Sequence, residues 1–259
     1  MTKNIEGSAQ VAAMFNLAGK VALITGGCVG MGRAIGAVLS AAGAMVVLAD
    51  DADRVAAFVP REEEGDTARV ALDVTDEASI RRAIAEVASG HGGIDILVNA
   101  AVINHNRPTL DIDVAEWDHV QAVNLRGAFL TTKACVPLMQ ARGGGRIINV
   151  TTIGSRHPVL HGNGAYSASR AGLNQFTRNC ALDFASDGIT ANAVLPGAII
   201  TETVDASAPR SGPGKDPKRQ IGGYGKPADI AGLVLLLASP AGRYISGQLI
   251  AVDGGFLVS

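Results

Sequence analysis

The chain has 259 residues, with 22 lysines and arginines against 24 aspartates and glutamates, and 47% of its residues are hydrophobic. This length and apolar fraction suffice for one large α/β domain with an extended core, and they exclude an intrinsically disordered chain. Charged residues make up only 18% of the sequence and the two signs nearly cancel. Nucleic acid and anionic membranes are therefore not expected partners, because both require a basic surface.

The sequence also argues against a membrane-spanning or secreted protein. Its longest apolar run, Ile230–Ala238, is far shorter than the ~20 residues that cross a bilayer as a helix. The N-terminus lacks the apolar core of a signal peptide, which predicts a cytoplasmic protein. Cys28, Cys135 and Cys180 are scattered along the chain. We expect reduced, packed thiols, and neither a disulfide framework nor a metal site.

Seven apolar runs predict the strands of a sheet. They lack polar alternation, as do strands that are buried on both faces of a parallel sheet. The runs are 21–25, 45–50, 68–73, 94–99, 146–150, 189–194 and 249–253, and helical patterns lie between them at 31–42, 77–89, 114–142, 166–186 and 228–238. This alternation predicts a single-domain α/β Rossmann fold, a doubly wound seven-stranded parallel sheet with helices on both faces.

The two ends of the pattern differ from the rest. Residues 1–16 are expected to form a loosely attached N-terminal extension, which leaves 17–259 as the single domain. Within that domain, the segment 202–224 is rich in proline and glycine and carries four basic residues. A loop this long at the carboxyl end of a sheet is typical of a lid over a substrate site, with disorder as the alternative. We expect its basic side chains to be solvated.

A glycine-rich turn joins the first strand to the first helix of the domain. It reads TGGCVGMG, with glycines at 26, 30 and 32. This spacing allows a tight turn, close approach of a pyrophosphate and close helix packing, while the helix N-terminus supplies free N–H groups. Asp50 ends the second strand, near the distance expected of an acid that binds the adenosine ribose. A dinucleotide site is predicted, formed by Gly26, Cys28, Val29, Gly30, Met31, Gly32 and Asp50.

The charges near this turn favour NAD over NADP. Asp50 can accept hydrogen bonds from both ribose hydroxyls and would repel a 2′-phosphate, and positions 28 and 29 carry no compensating lysine or arginine. Arg33 is either a phosphate neighbour or a solvated helix charge. Asp73 is either an acceptor for the adenine amino group or a helix N-cap ahead of Thr75.

Four residues further along form a candidate catalytic group. Tyr166 and Arg170 lie four residues apart in a helical pattern, so both side chains project from one face. A phenol with a pKa of about 10 is a poor base at neutral pH unless a cation stabilises the phenolate, which Arg170 could do. Thr152 offers a hydroxyl at a strand end, and Asn124 is an amide in the middle of a helical pattern. Taken singly, each residue also has a structural explanation such as packing, β propensity or a helix kink.

The order of the motifs resembles the classical short-chain dehydrogenase/reductase (SDR) family over residues 17–259. The matching segments are TGGCVGMG at 25–32, Asp50, LDV at 72–74, ILVNAA at 96–101, VNLRGAF at 123–129, GRIINVTT at 145–152, YSASR at 166–170, ANAVLPGAIIT at 191–201 and VDGG at 252–255.

The resemblance implies roles for individual residues. Tyr166 would be the general acid/base, Thr152 replaces the serine that orients the substrate, Asn124 would hold a relay water, and Arg170 occupies the position of the family's lysine. The implied cofactor contacts also include Asp73, Val74, Asn99, Ala100, Ala101, Tyr166, Arg170, Pro196, Gly197, Ile199 and Thr201. Among these, Ile199 and Thr201 would clamp the nicotinamide carboxamide, and Asn99 would lie beneath the cofactor.

The sequence departs from the family pattern at three positions. Val102 replaces the glycine of the NNAG motif, which puts a side chain close to the cofactor. Thr152 keeps the serine hydroxyl and adds a methyl group. Arg170 keeps the lysine's charge and its hydrogen-bond donors, but it cannot give up a proton to a relay.

These observations predict an NAD(H)-dependent oxidoreductase that interconverts a secondary alcohol and the matching ketone by hydride transfer. The alternative is a noncatalytic or very weakly active dinucleotide-binding protein, because of Arg170 and Val102. Segments 103–107 and 153–164 would surround the small-molecule substrate together with the lid. The apolar stretch 233–238 and the C-terminal strand resemble the surfaces through which this family assembles, so we expect a homotetramer.

Overall fold

The predicted strands pair into one parallel sheet. A computed structural model of the protein describes residues 2–65, 67–202 and 211–259. The strands are β1 Val21–Thr25, β2 Met45–Asp50, β3 Thr67–Ala71, β4 Ile96–Asn99, β5 Gly145–Val150, β6 Ile189–Pro196 and β7 Leu249–Val252. They are arranged in the order β3-β2-β1-β4-β5-β6-β7. The order reverses between β1 and β4, and in such sheets ligands bind at the carboxyl ends of the strands beside this reversal.

The helices cover both faces of the sheet. They are α1 Thr2–Phe15, α2 Gly30–Ala41, α3 Ala52–Ala56, α4 Glu77–His91, α5 Val114–Gln121, α6 Gly127–Ala141, α7 Gly164–Asp183 and α8 Pro227–Ala238. Successive residues of a strand point to opposite faces. Ile24 therefore packs with Ile35 of α2 and Val234 of α8, while Leu23 packs with the helices of the other face. The predicted doubly wound fold is confirmed.

The pattern at 114–142 is helical throughout but contains three segments. Between α5 and α6 lies a π-helix, Ala122–Arg126, in which the N–H of Gly127 donates to the carbonyl of Ala122. Such wider turns are often found at functional sites. Asn124 lies in this turn and is fully buried.

Two helices were not predicted from the sequence. The chain before β1 forms α1 from residue 2 to residue 15, and its alanines line a groove together with Val38 and Leu235. The segment after β2 forms the short α3, whose N-cap is Asp51. The cap stabilises the start of α3, because the Asp51 side chain accepts from the Arg54 N–H.

The lid segment is described only in part, because residues 203–210 lie outside the described ranges. From Ser211 onwards it contains two short 3₁₀ turns, Pro213–Lys215 and Pro217–Arg219. Its backbone bonds to the body of the protein, since Gly214 donates to the Val159 carbonyl at 2.8 Å and Ile221 donates to the Gly254 carbonyl at 2.9 Å.

The C-terminus differs from the expected terminal strand. β7 ends at Val252, and the chain continues as a 3₁₀ turn, Phe256–Val258, with Phe256 buried. Within the described ranges, the search for a helix long and apolar enough to cross a membrane finds none.

Candidate active site

The loops after β1, β4, β5 and β6 meet at the carboxyl edge of the sheet, where they form a cleft of about 300 Å³. Thr152, Tyr166 and Ile199 line this cleft. The structure therefore brings candidate catalytic residues and candidate cofactor residues to one place.

The glycine-rich turn is too closely packed for side chains. Gly26 and Gly30 have φ angles of +65° and +55°, which favour glycine. A Cβ on Gly32 would lie 2.2 Å from the Gly26 carbonyl oxygen, and one on Gly26 would lie 2.8 Å from the Cα of Ala101. Gly27 donates to the Ala49 carbonyl at 3.1 Å, which ties the turn to β2. The absence of side chains at these glycines lets a pyrophosphate approach the backbone closely.

Asp50 is buried beside this turn. Its Oδ2 accepts from the Cys28 N–H at 3.0 Å and its Oδ1 accepts from the Asp51 N–H at 3.0 Å. Arg54 of α3 lies 3.2 Å from Oδ1 and 3.3 Å from an oxygen of Asp51. The sequence analysis missed this cation because α3 was not predicted. One arginine therefore faces two carboxylates at the ribose end of the candidate site.

Arg33 is not a solvated helix charge, and its role as a phosphate neighbour stays a prediction. Its guanidinium pairs with the buried carboxylate of Glu64, donates to the Val59 carbonyl at 2.7 Å and lies 4.5 Å from the centre of the Phe58 ring. The Arg33 guanidinium is therefore already paired within the protein.

Asp73 does not cap the following helix. It accepts from the N–H and the hydroxyl of Thr75, at 2.8 and 2.7 Å, whereas the N-cap of α4 is Asp76. Asp73 is exposed at the edge of the site, so its predicted adenine contact stays a prediction. The next residue, Val74, packs closely on Gly127. A Cβ added to Gly127 would lie 2.9 Å from the Cβ of Val74.

Asn99 belongs to a buried ladder of amides and hydroxyls. Its Nδ2 donates to Asn149 at 2.8 Å and its Oδ1 accepts from Thr131 at 2.7 Å. Asn149 in turn donates to Thr177 of α7 at 2.8 Å. Because its side chain is already hydrogen-bonded within the protein, Asn99 supports the floor of the site by its position.

Arg170 is the most buried charged side chain of the site, with 2% of its surface exposed. Its Nη2 donates to the Ala101 carbonyl at 3.1 Å and its Nη1 donates to the Asn124 carbonyl at 3.3 Å. The guanidinium carbon lies 5.7 Å from the centre of the Tyr166 ring. Burial lowers the pKa of Arg170 and its contact with Tyr166 opposes that shift. The predicted juxtaposition of Tyr166 and Arg170 is present.

The side chain of Asn124 is used to fix the loop after β4. It accepts from the Ile103 N–H and donates to the Ile103 carbonyl, both at 2.9 Å. Its Nδ2 also donates to the Ser169 hydroxyl at 3.2 Å, and its backbone carbonyl accepts from Arg170. In this loop Val102 takes the place of the family's glycine, and every described non-glycine residue has a negative φ. The valine is therefore accommodated without left-handed backbone strain.

The threonine that replaces serine lies at the carboxyl end of β5. Thr152 begins a short 3₁₀ turn, where its hydroxyl accepts from the Gly154 N–H at 3.1 Å while its side chain lines the cleft. Tyr166, in the first turn of α7, lines the same cleft.

The chain after β6 completes the wall of the cleft. Pro196 ends the strand and Gly197 donates to the Val252 carbonyl at 2.9 Å. Ile199 forms a β-bridge with Gly225. Thr201, which follows, also has an interaction partner.

Glu202 was not singled out in the sequence. Its Oε1 accepts from the Gly30 N–H at 2.9 Å, 172 residues away in the chain, so it lies at the N-terminus of α2. No local pattern signals this contact, because the turn and the acid meet only when the sheet is assembled.

The three cysteines are packed inside the protein. Cys28, Cys135 and Cys180 are all buried free thiols, as expected. Burial, followed by the charge of Asp50, raises the pKa of Cys28 to about 11, which makes it a poor nucleophile.

Of the basic lid residues, Arg219 is not simply solvated. It donates to the Ser259 carbonyl at 2.6 Å and lies 4.5 Å from the centre of the Phe256 ring.

Comparison with known proteins agrees with this arrangement. A family model described as Enoyl-(Acyl carrier protein) reductase matches residues 27–257. The chain is 34% identical to the 3-oxoacyl-(acyl-carrier-protein) reductase of Thermotoga maritima over 251 residues, covering 93% of this chain and 99% of that protein. It is 32% identical to the NAD-dependent glycerol dehydrogenase of Listeria innocua over 246 residues, covering 94% and 96%.

A solved structure of a short-chain type dehydrogenase/reductase from Mycobacterium marinum superposes with a TM-score of 0.86 at 31% identity, covering 96% of this chain and 100% of the other. Sequence and fold agree, and the chain belongs to the classical short-chain dehydrogenase/reductase family of oxidoreductases, which use a nicotinamide dinucleotide.

Proposed function

We propose that this protein is an NAD(H)-dependent oxidoreductase that interconverts a secondary alcohol and the matching ketone, with Tyr166 as the general acid/base. The observation that carries the proposal is the placement of Arg170. Its guanidinium is buried 5.7 Å from the Tyr166 ring, with no ion-pair partner in the described part of the chain. A buried cation beside a phenol favours the phenolate, which is the form that can accept a proton.

Each residue of the group then has a defined task. In the oxidative direction Tyr166 takes the proton of the substrate hydroxyl, and the Thr152 hydroxyl donates a hydrogen bond to the same oxygen as carbonyl character develops. The nicotinamide, when bound, supplies the hydride acceptor or donor. Arg170 stays protonated throughout. The proton held by Tyr166 is therefore exchanged through the open cleft and not through the Arg170 side chain.

The cofactor proposal rests on the fit of the carboxyl edge to a dinucleotide. The glycine turn leaves no room for side chains over its N–H groups, and Asp50 is a buried carboxylate with lone pairs left for the ribose hydroxyls. The excess of carboxylate over arginine around Arg54 favours NAD over NADP. The relative from Listeria innocua that is called NAD-dependent is consistent with this preference. The residues proposed to hold the cofactor are those assigned to it in the sequence.

The cleft also limits the class of substrate. Its walls are largely aliphatic and aromatic, from Ile153, Val159, Leu160 and Phe256. Asn163 also contributes to the cleft, and its buried Oδ1 has no hydrogen-bond partner in the described structure. An alcohol with a mainly apolar skeleton fits such walls best.

The test compares Tyr166→Phe with the control Tyr244→Phe. Tyr244 is 94% exposed and has no part in the proposed mechanism. Rates of NADH formation are measured over a panel of secondary alcohols, and NAD binding is measured by fluorescence. We expect Tyr166→Phe to lose nearly all turnover while it binds NAD within a few fold of the wild type. Unchanged turnover in Tyr166→Phe would show that the assigned mechanism is wrong. A wild type that binds NAD, turns over no alcohol or ketone, and gains activity only through Arg170→Lys would favour the noncatalytic alternative.

A further inference from the structure

Glu202 places a carboxylate at the helix end that the proposed cofactor needs. Gly30 is the first residue of α2, and the N-cap residue Val29 makes no side-chain capping bond. The free N–H of Gly30 is instead taken by Glu202 Oε1 at 2.9 Å. A residue from the chain beyond β6 thus supplies the anion that the helix N-terminus attracts.

The surroundings of Glu202 keep it ionised. The Gly30 N–H, and to a smaller extent the charges of Arg61 and Arg33, hold the pKa of Glu202 below its usual range against the opposing effect of burial. At neutral pH the group on the Gly30 N–H is therefore a carboxylate, with the same charge sign as a pyrophosphate.

We propose that Glu202 is an internal competitor of the cofactor pyrophosphate, which must displace it from Gly30. This inference rests on the proposed function, since it takes the glycine turn to be the pyrophosphate site. Two anions cannot share one N–H group, so the measured cofactor affinity is the intrinsic affinity reduced by the fraction of molecules in which Glu202 has left.

The position of Glu202 in the chain gives the competition a further consequence. Its neighbour Thr201 is one of the two residues proposed to clamp the nicotinamide carboxamide. A shift of Glu202 away from Gly30 would move the backbone that adjoins Thr201. Binding at the pyrophosphate end is thereby linked to the placement of a residue at the nicotinamide end.

The experiment measures binding of NADH, ADP and adenosine by titration calorimetry to the full-length wild type, Glu202→Gln, Glu202→Ala and Glu202→Asp. Glu86→Gln is the control, because Glu86 is an exposed acid towards the far end of α4. We expect Glu202→Gln and Glu202→Ala to bind NADH and ADP about three- to tenfold more tightly. Adenosine, which lacks phosphate, should bind all variants equally, and Glu86→Gln should match the wild type.

The aspartate variant separates contact from charge. It keeps the negative charge on a shorter side chain, so loss of the contact should also tighten ADP binding. If Glu202→Asp matches the wild type while Glu202→Gln binds more tightly, a distant charge effect replaces direct competition and the proposal is wrong. It is equally wrong if Glu202→Gln binds ADP no better than a wild type that does bind NADH. If no variant binds ADP or NADH, the cofactor site itself fails, and the competition fails with it.

Discussion

Replacing Arg170 by methionine removes the cation that the proposed mechanism needs while keeping a long side chain in the buried space. With the guanidinium carbon 5.7 Å from the centre of the Tyr166 ring, a unit negative charge placed at the ring centre would attract it by about 3 kcal/mol at an effective dielectric constant of ~20. That energy corresponds to roughly a hundredfold in rate if the phenolate is the reacting form. We therefore expect Arg170→Met to lower turnover about a hundredfold at neutral pH.

The effect on folding should be much smaller than the effect on rate. The substitution leaves the carbonyls of Ala101 and Asn124 without their donor, at a cost of about 1–3 kcal/mol each. It also removes a buried cation whose own desolvation costs several kcal/mol. These opposing contributions nearly cancel, so the melting temperature should change by only a few degrees. Arg170→Lys keeps the charge but can replace only part of the two-pronged contact, so its turnover should stay within about tenfold of the wild type.

The assay is the initial rate of NADH formation across a pH series for the wild type and the two variants, together with thermal unfolding. Without the cation, negative charge on the Tyr166 oxygen is less stabilised during proton transfer, so the rate should be lower at every pH of the series in Arg170→Met and within about tenfold of the wild type in Arg170→Lys. If Arg170→Met is folded and its rate and pH profile match the wild type, the role given to this residue is refuted.

Three further predictions concern the cofactor, acid stability and assembly. Asp50→Ala should narrow the gap between NAD and NADP affinities measured by fluorescence, because Arg54 loses an ion-pair partner and can meet a 2′-phosphate, whereas Thr75→Ala should leave the gap unchanged. The pKa of Asp95 lies below its usual range. Burial alone would raise it, but hydrogen bonds from Arg142 and the Val21 N–H, together with the charge of Lys20, outweigh that effect. Asp95→Asn should therefore lose about 2–3 kcal/mol of unfolding free energy at neutral pH, and the difference should fade as the pH drops through the lowered pKa; equal urea curves at neutral pH would contradict this. Light scattering at micromolar concentration should show a tetramer, and a monomer would refute the predicted assembly.

The sequence predicted best what depends on local apolar runs. β1 and β2 have the bounds expected from their hydrophobic patterns, and the seven strands form one parallel sheet as predicted. The candidate site could be assembled from motifs because the carboxyl ends of parallel strands meet at one edge.

What the sequence did not predict depends on contacts between distant segments. Arg54 lies near Asp50 only because the chain forms α3, a single turn of helix with no amphipathic period. Arg33 pairs with Glu64, and Glu202 reaches Gly30, across 31 and 172 residues respectively. A charged residue has the same letter in the sequence whether its side chain is solvated or paired. Only the folded structure distinguishes the two cases.

The ladder beneath the site has a consequence for how this protein can change. Asn99 and Asn149 are register partners on β4 and β5, and their amides are bonded to each other and to hydroxyls of α6 and α7. A slip of either strand by one residue would turn its amide to the opposite face and leave buried groups without partners. The same bonds make single substitutions costly, because each amide serves two neighbours. Variation here should therefore occur in matched pairs, with the two asparagines changing together.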